Sequence, residues 1–179
     1  MRLICTSITL ALSSLILANP VLVRETGPLT PEEELKGFSV PDDFKIQLFA
    51  SEPMINKPIN LAWDKRGRLW VSSTVEYPYA AEKDRWADDK GSKVRDSRDA
   101  IKILEDIDGD GKADTVIDFA DGLNIPTGVV PWHRPYHKDG CIAWSIPNIW
   151  YFADTTGDGK ADLREVLFGP MGYERDTHG

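Results

Sequence analysis

The sequence predicts an all-β fold: a partial β-propeller of about two four-stranded antiparallel blades, preceded by an N-terminal signal segment and one short helix. Short runs of β-branched and aromatic residues alternate with Gly- and Asp-containing turns, which is typical of strands and hairpins. Two nearly identical Asp-rich loops begin at Asp106 and Asp154, 48 residues apart, which is within the range of propeller-blade periods. A small two-sheet sandwich is the alternative fold.

The chain has 179 residues, of which 41% are hydrophobic, and a formal net charge of −8. This length and composition are ordinary for one globular domain. The acidity argues against nucleic acid or an anionic membrane surface as a partner, because both would repel the protein.

Residues 1–18 have the features of a secretory signal: Arg2, an apolar run over residues 3–17, and Ala18 before a polar residue. The apolar run is short for a membrane-spanning helix. We therefore expect export to the periplasm or cell surface, with membrane attachment through an uncleaved segment as the alternative. A cleaved chain would keep Cys141 alone and would have no internal disulfide.

Residues 19–36 are predicted to be a linker followed by a short helix. Thr30 and Glu33 form a capping-box pattern with Pro31 at the first helical position, and Gly37 ends the turn. Residues 44–49 alternate apolar and polar side chains, which predicts a strand.

Residues 37–179 are predicted to form the partial propeller. The first blade is expected at about 59–119, the second at about 128–168, and a third would begin over 169–179. The predicted strands are 59–63, 69–73, 101–105 and 115–119, then 128–132, 141–145, 149–154 and 163–168. A propeller closes with about four to eight blades, so we expect the chain to be the N-terminal piece of a longer protein. The first blade contains an insertion at 76–99, which is either a lid over the channel or a solvated loop.

The first Asp-rich loop has the ligand spacing of an EF-hand-type calcium loop, although strands rather than helices are expected to flank it. Its carboxylates occupy positions 1, 3, 5 and 9, and position 7 offers a backbone carbonyl. The predicted ligands are Asp106, Asp108, Asp110, Lys112 and Asp114. The second loop offers Asp154, Thr156, Asp158, Lys160, Asp162 and Glu165. Thr156 removes one charge, and an Asp/Gly turn that binds no metal is the alternative for both loops.

A series of spaced motifs resembles the N-terminal propeller of the PVC-type "membrane-bound dehydrogenase" domain proteins of planctomycetes and their relatives. The motifs include Gly37-Phe-Ser-Val-Pro-Asp-Asp-Phe44, Leu48-Phe-Ala-Ser-Glu-Pro53, Trp63-Asp-Lys-Arg-Gly-Arg-Leu-Trp-Val71, Glu76-Tyr-Pro78, Asp121-Gly-Leu-Asn-Ile-Pro-Thr-Gly128 and Asp176-Thr-His178. The resemblance covers nearly all of the mature chain. It implies a fold related to quinoprotein glucose and sorbosone dehydrogenases, with a pyrroloquinoline quinone-type cofactor and a sugar or alcohol substrate in the full-length parent. The sequence has no Cys-x-x-Cys-His motif, so a haem domain would have to lie further downstream.

Propeller geometry would place the calcium loops on the face opposite a substrate site. The candidate substrate or cofactor residues on the other face are Asn56, Tyr77, Arg85, Asn124, Asn148, Arg175 and Asp176. The resemblance implies that His178 is a general base, while a solvated histidine is the alternative. A non-catalytic module that binds glycans or proteins is the alternative function, and we expect the fragment alone to be inactive. His133 and His137 are expected in a surface turn, and Trp63, Trp70, Trp144 and Trp150 in the core.

Overall fold

The computed structural model describes residues 27–171 and has the predicted all-β architecture. Its elements are α1 (Pro31–Leu35), β1 (Pro58–Trp63), β2 (Leu69–Ser73), a 3₁₀ turn (Lys83–Arg85), β3 (Ala100–Glu105), β4 (Thr115–Ala120), β5 (Val129–Pro131), β6 (Asp139–Ser145), β7 (Asn148–Asp154) and β8 (Leu163–Phe168). The signal predicted at 1–18 and the candidates Arg175, Asp176 and His178 lie outside the described residues.

The eight strands form two four-stranded antiparallel sheets, in the orders β1-β2-β3-β4 and β5-β6-β7-β8. We call them blade 1 and blade 2. Each strand pairs with the next one along the chain, so every connection within a blade is a hairpin or a longer loop between neighbours. This meander places the β1–β2 and β3–β4 turns at one end of blade 1 and the β2–β3 insertion at the other end.

The two blades pack face to face over one apolar core. Trp70 from blade 1 and Trp150 from blade 2 are each 1% exposed, and the Trp70 ring meets Phe119 edge-on, with centroids 4.8 Å apart. These positions confirm the core prediction for Trp70 and Trp150, whereas Trp144 is half-buried. The core prediction for Trp63 is wrong: it is 57% exposed, because it lies on the side of β1 that faces away from blade 2 and contacts Phe49 there.

The strand predicted at residues 44–49 is wrong, because this segment is irregular in the structure. Its alternating pattern is real, but it has no ladder partner among the described residues, and an unpaired segment cannot be a strand. The segment instead lies against blade 1, where Phe49 and Ala50 pack on Leu69, Val71 and Leu104.

The insertion at 76–99 is a folded element rather than a solvated loop. Ala81, Trp86 and Val94 form a small apolar cluster, and Trp86 pairs with Val94 in an isolated β-bridge. The Trp86 indole N–H also donates to the Ala81 carbonyl at 3.2 Å. The insertion therefore has its own core, which holds it in a defined position at one end of blade 1.

The helix α1 has the predicted capping box. The Glu33 amide donates to Thr30 Oγ1 at 3.2 Å, and the Thr30 amide donates to the Glu33 carboxylate at 2.9 Å. The hydrogen bonds that the Glu33 carboxylate accepts from Thr30, first from its amide and then from its side chain, lower the pKa of Glu33. Over residues 27–171, no helix has both the length and the apolar character that crossing a bilayer requires.

Candidate metal centre

The first Asp-rich loop connects β3 to β4 at the turn end of blade 1. Glu105 and Thr115 form the last strand pair before the loop, so residues 106–114 project beyond the sheet. The β-hairpin setting matches the sequence prediction that strands flank this loop.

Carboxylate-to-amide hydrogen bonds shape the loop. The two oxygens of Asp106 accept from the amides of Gly109 at 2.7 Å and Gly111 at 2.8 Å. Asp114 Oδ2 accepts from the Ile107 amide at 2.6 Å, which ties the end of the loop to its beginning. Gly111 has a φ of 86°, a left-handed conformation that a glycine adopts without strain. The loop therefore folds as the tight turn that its sequence predicts.

Three of the predicted ligands converge. One carboxylate oxygen from each of Asp106, Asp108 and Asp114 lies within 4.8 Å of the other two. Among the salt bridges of residues 27–171, none involves these three carboxylates. The cluster thus offers only oxygen donors and has no basic partner to balance its charge, a combination that suits a hard divalent cation.

The remaining first-loop candidates support the turn. Asp110 Oδ1 accepts from the Lys112 amide at 2.8 Å, and the Asp110 carbonyl accepts from Gln47 Nε2 at 2.6 Å. The Ala113 amide donates to the carbonyl of Phe49 at 2.8 Å. The segment before β1 therefore holds the loop in place from outside.

The second Asp-rich loop repeats the backbone pattern of the first. Asp154 Oδ1 and Oδ2 accept from the amides of Gly157 at 2.5 Å and Gly159 at 2.9 Å, and Asp162 accepts from the Thr155 amide at 2.7 Å. Burial acts to raise the pKa of Asp154, but the amide hydrogen bonds outweigh it, so the pKa is lowered. The pKa of Asp162 is lowered by the Thr155 hydroxyl and amide. The two loops therefore share these backbone hydrogen bonds as well as their sequence pattern.

The side chains of the second loop are arranged differently from those of the first. The Thr155 hydroxyl donates to Asp162, and the Thr156 hydroxyl donates to Asp154 Oδ1 at 3.4 Å. Glu165, predicted at position 12, forms an ion pair with Arg134 at 2.7 Å, and its pKa is lowered by that hydrogen bond. Two threonine hydroxyls and an arginine therefore contact carboxylate oxygens that the sequence analysis predicts as metal ligands.

Two of the predicted face residues are buried and hold the insertion. Asn124 is 2% exposed; its Oδ1 accepts from the Ala81 amide at 2.8 Å, and its Nδ2 donates to the Ala81 carbonyl at 3.1 Å. Asn148, also 2% exposed, donates from Nδ2 to the Lys90 carbonyl at 2.8 Å. Both amides thus connect blade 2 and the inter-blade connection to the insertion.

Two other face residues share one wide cavity. Tyr77 and Arg85 line an open cavity of about 610 Å³, which Lys57 and Tyr79 also line. Arg85 forms an ion pair with Glu76 at 3.0 Å. Asn56 lies close to this end of blade 1, where its carbonyl accepts from the Ser73 hydroxyl at 2.6 Å. Asn148 lines a different cavity, of about 420 Å³, next to Trp86.

Sequence reasoning missed two buried charged groups. Asp99 is 1% exposed and accepts from the amides of Glu76 at 2.9 Å and Ile125 at 3.0 Å; its burial raises its pKa. Arg68 is buried between Asp64 and Asp139. Arg68 follows a Gly turn, where an exposed hairpin residue is expected, and no local pattern indicates that another blade covers it. His133 and His137 do lie in the predicted surface turn, where His137 Nδ1 contacts the Tyr151 hydroxyl at 2.8 Å.

Comparison with known proteins gives one match. A family model described as a domain of unknown function, DUF7133, matches residues 30–179. No curated protein and no solved structure matches the chain.

Proposed function

Because the chain belongs to the DUF7133 family, whose function is unknown, we propose a function from its own residues. The protein is an exported propeller segment that Ca²⁺ stabilises at the first Asp-rich loop. The observation that carries this proposal is the convergence of Asp106, Asp108 and Asp114 with no basic partner. Bound calcium would offset their mutual repulsion and cross-link a chain that has only one described cysteine, Cys141.

Calcium suits the loop better than zinc or magnesium. Zinc sites usually include histidine or cysteine, which the three converging residues do not provide. Magnesium requires a nearly ideal octahedron and keeps several waters, whereas calcium accepts six to eight oxygens in flexible geometry. The carboxylates of the loop, together with the Lys112 carbonyl that the spacing assigns to position 7, match the calcium preference.

The calcium role is structural rather than catalytic. In an antiparallel meander, the β3–β4 turn lies at the opposite end of the sheet from the β2–β3 insertion. The wide cavity lined by Tyr77 and Arg85 belongs to the insertion end. Calcium at the first loop would therefore order the hairpin and would not contact a ligand in that cavity.

The parent protein would oxidise a sugar or an alcohol with a quinone-type cofactor. The support is the resemblance of the spaced motifs to the PVC-type dehydrogenase domain. Propeller geometry leads us to expect the substrate on the face that carries the insertion. Dye-coupled oxidation by the full-length protein with added quinone tests this activity. Oxidation of at least one sugar or alcohol is expected, and inactivity across a broad panel of both would contradict it.

A non-catalytic module that binds glycans is the second candidate. Tyr79 lines the wide cavity and is 76% exposed, and an exposed aromatic ring beside an open cavity suits stacking on a sugar. Glycan-array binding by the chain, lost in Tyr79→Ala, would favour this candidate over the enzyme.

Calorimetric titration with Ca²⁺ tests the metal site directly. We expect the chain to bind Ca²⁺ and expect Asp106→Asn and Asp108→Asn each to weaken binding at the first loop by about tenfold or more. Asp118→Asn is the matched control, because Asp118 is an exposed acid on β4 that pairs with Lys102 outside the loop. Undetectable binding by the wild-type chain, or unchanged binding by both loop variants, would contradict the proposal.

A further inference from the structure

A cavity of about 420 Å³ lies between the insertion and the β6–β7 turn of blade 2, and we call it the blade 2 cavity. Its lining residues come from the insertion, from the β6–β7 turn and from blade 2 with the segment after β8, and include Lys83, Trp86, Lys90, Asn148, Val166 and Met171. Among the described residues, none lines both this cavity and the wide cavity of Tyr77 and Arg85. The two cavities are therefore separate candidate sites.

Close contacts between the insertion and blade 2 hold the walls of the blade 2 cavity in place. Asn148 Nδ2 donates to the Lys90 carbonyl at 2.8 Å. Gly91 has a φ of 69°, and a Cβ added to it would lie 3.1 Å from Pro147 Cδ and 3.2 Å from the Trp86 ring. The insertion therefore packs tightly on the β6–β7 turn. The cavity is pre-formed, as small-molecule sites of this size usually are.

One hydrogen-bond acceptor opens onto this cavity. Asn148 is 2% exposed, and within residues 27–171 its side chain forms a single hydrogen bond, the one from Nδ2, so Oδ1 accepts none. Every fully buried side-chain oxygen or nitrogen in that range has a partner, so Oδ1 must be accessible from the cavity that Asn148 lines. An unpaired acceptor in such a place costs free energy. A ligand that donates a hydrogen bond to Oδ1 would recover it.

The blade 2 cavity is positively charged, although the whole chain has a formal net charge of −8. Its charged lining residues are two lysines, Lys83 and Lys90, and one acid, Asp89. Among the salt bridges of residues 27–171, none involves either lysine, and Lys83 Nζ lies 5.8 Å from the centroid of the Trp86 ring. A lysine ammonium has three donors on a flexible stem. Both lysines are therefore available to an anionic group in the cavity.

The other walls of the cavity are largely apolar. Trp86, Pro147, Val166 and Met171 contribute carbon surface to the lining. The Trp86 indole N–H already donates to the Ala81 carbonyl at 3.2 Å, so the ring offers a ligand only apolar contact. Aromatic and aliphatic groups of this kind pack well against the C–H groups of a sugar ring. The lining therefore combines apolar walls with two cations and a hydrogen-bond acceptor.

We propose that the blade 2 cavity binds the uronic acid unit of an acidic sugar. The sugar carboxylate would pair with Lys83 and Lys90, and a hydroxyl would donate to Asn148 Oδ1. Two lysines and one aspartate give the lining a charge of +2 − 1 = +1. This charge suits a monoanionic carboxylate better than a phosphate monoester, which carries about −1.5 to −2. The inference goes beyond the proposed function, because it concerns a second cavity and requires neither calcium nor oxidation.

Titration of the 179-residue chain with uronate disaccharides tests the charge requirement. The probes are disaccharides of glucuronate, galacturonate and mannuronate, each paired with its methyl ester, which keeps the hydroxyls and removes the negative charge. At least one acid should bind with a Kd of about 1 mM or lower, and its ester should bind at least about tenfold more weakly. The corresponding monosaccharides distinguish a free sugar acid from a chain of them. No binding by any of the acids up to about 10 mM, or equal binding of acid and ester, would overturn the proposal.

Lysine variants locate the bound carboxylate. Lys83→Met and Lys90→Met keep an aliphatic side chain and remove the charge, so each should weaken uronate binding by about tenfold. Lys45→Met is the matched control: Lys45 is exposed and lies outside both cavities, so its loss should not change the affinity. All three lysines are exposed, and the variants should therefore keep the wild-type Tm. Wild-type affinity in both Lys83→Met and Lys90→Met would overturn the proposal.

Indole resonances give a second readout by NMR. Bound uronate should shift the N–H signal of Trp86 and leave that of Trp63, at the turn end of blade 1, unchanged. Tyr79→Ala, in the wide cavity, should bind uronate as the wild type does. A shift at Trp63 alone, or loss of binding in Tyr79→Ala, would place the sugar elsewhere and overturn the proposal. Neither quinone nor calcium is added, so failure of the oxidation assay or of the calcium titration would leave this result standing.

Discussion

Arg68 of blade 1 and Asp139 of blade 2 form a buried ion pair, with Nη2 and Oδ1 2.6 Å apart and side chains 8% and 13% exposed. Asp64 contacts the same guanidinium at 2.7 Å and also accepts from the Trp70 indole N–H at 3.1 Å. Burial acts to lower the pKa of Arg68, but the two carboxylates outweigh it and raise the pKa. The cluster therefore connects the two blades at their turn end with its charges satisfied.

Asp139→Ala should destabilise the chain by about 2–4 kcal/mol. Removing one partner of a buried pair costs on the order of 3–5 kcal/mol, and Asp64 would still compensate part of the Arg68 charge. Chemical denaturation measures the change. Asp118→Ala breaks the more exposed pair with Lys102 and should cost less than about 1 kcal/mol. Equal losses in the free energy of unfolding for the two variants would contradict the larger contribution to stability expected of the inter-blade pair.

Asn124→Ala should destabilise the chain by about 1–3 kcal/mol per hydrogen-bonding group left unpaired. The change would leave the Ala81 amide without its partner and the Ala81 carbonyl with the Trp86 indole N–H alone, at a position that is 3% exposed. Hydrogen exchange should show faster exchange over the insertion, particularly at Ala81, with the β2–β3 ladder unchanged. If the insertion amides exchange as slowly in the variant as in the wild type, Asn124 does not hold the insertion.

Stability should fall with pH in the acid range. The pKa values of Asp64, Asp121 and Asp154 are lowered in the folded state. Burial opposes this lowering in all three, and hydrogen bonds or basic partners outweigh it. The three aspartates therefore contribute their full stabilisation of the folded state above the unfolded-state pKa, near 3.9. This stabilisation is lost as pH falls through their folded-state pKa values.

Asp154→Asn tests this pH dependence. The variant should be less stable at pH 7, and its Tm should decline less steeply below about pH 4 than that of the wild type. Asp42→Asn, at an exposed position before β1, is the control and should keep the wild-type slope. An unchanged slope in Asp154→Asn would contradict the assignment.

The sequence predicted the blades because their signals are local. Alternating apolar residues, Gly turns and the repeated Asp-rich loops mark β1–β8, and the strands lie within about two residues of the predicted bounds. The converging carboxylates of the first loop were predicted for the same reason, since Asp106, Asp108 and Asp114 are close in sequence.

Features that depend on distant residues were not predictable. The position of the insertion depends on Asn124 and Asn148, which follow it in the chain by tens of residues. Residues 44–49 have a strand pattern but no described partner, and Trp63 is exposed because no described blade covers its side of β1. Local pattern cannot report whether a neighbouring blade is present.

Thr156→Asp should strengthen calcium binding at the second loop by about tenfold, because it supplies the carboxylate that the first loop has at position 3. It would also remove the Thr156 hydroxyl that donates to Asp154. Calorimetric titration compares Asp108→Asn with the double variant Asp108→Asn and Thr156→Asp; the first loop is weakened equally in both, so the difference between them reports the second loop. Identical isotherms for the two variants would contradict an equivalent role for the two loops.

Thermal unfolding with Ca²⁺ and with a chelator tests the central claim most directly. At a free Ca²⁺ concentration about 100 times the Kd, binding stabilises the folded state by about 2.7 kcal/mol, which corresponds to about 5–10 °C in Tm for a chain of this size. The wild type and Asp118→Asn should both lose this increment with chelator, and Asp108→Asn should lose most of its response. Superimposable wild-type melts with calcium and with chelator would contradict calcium stabilisation of the propeller segment.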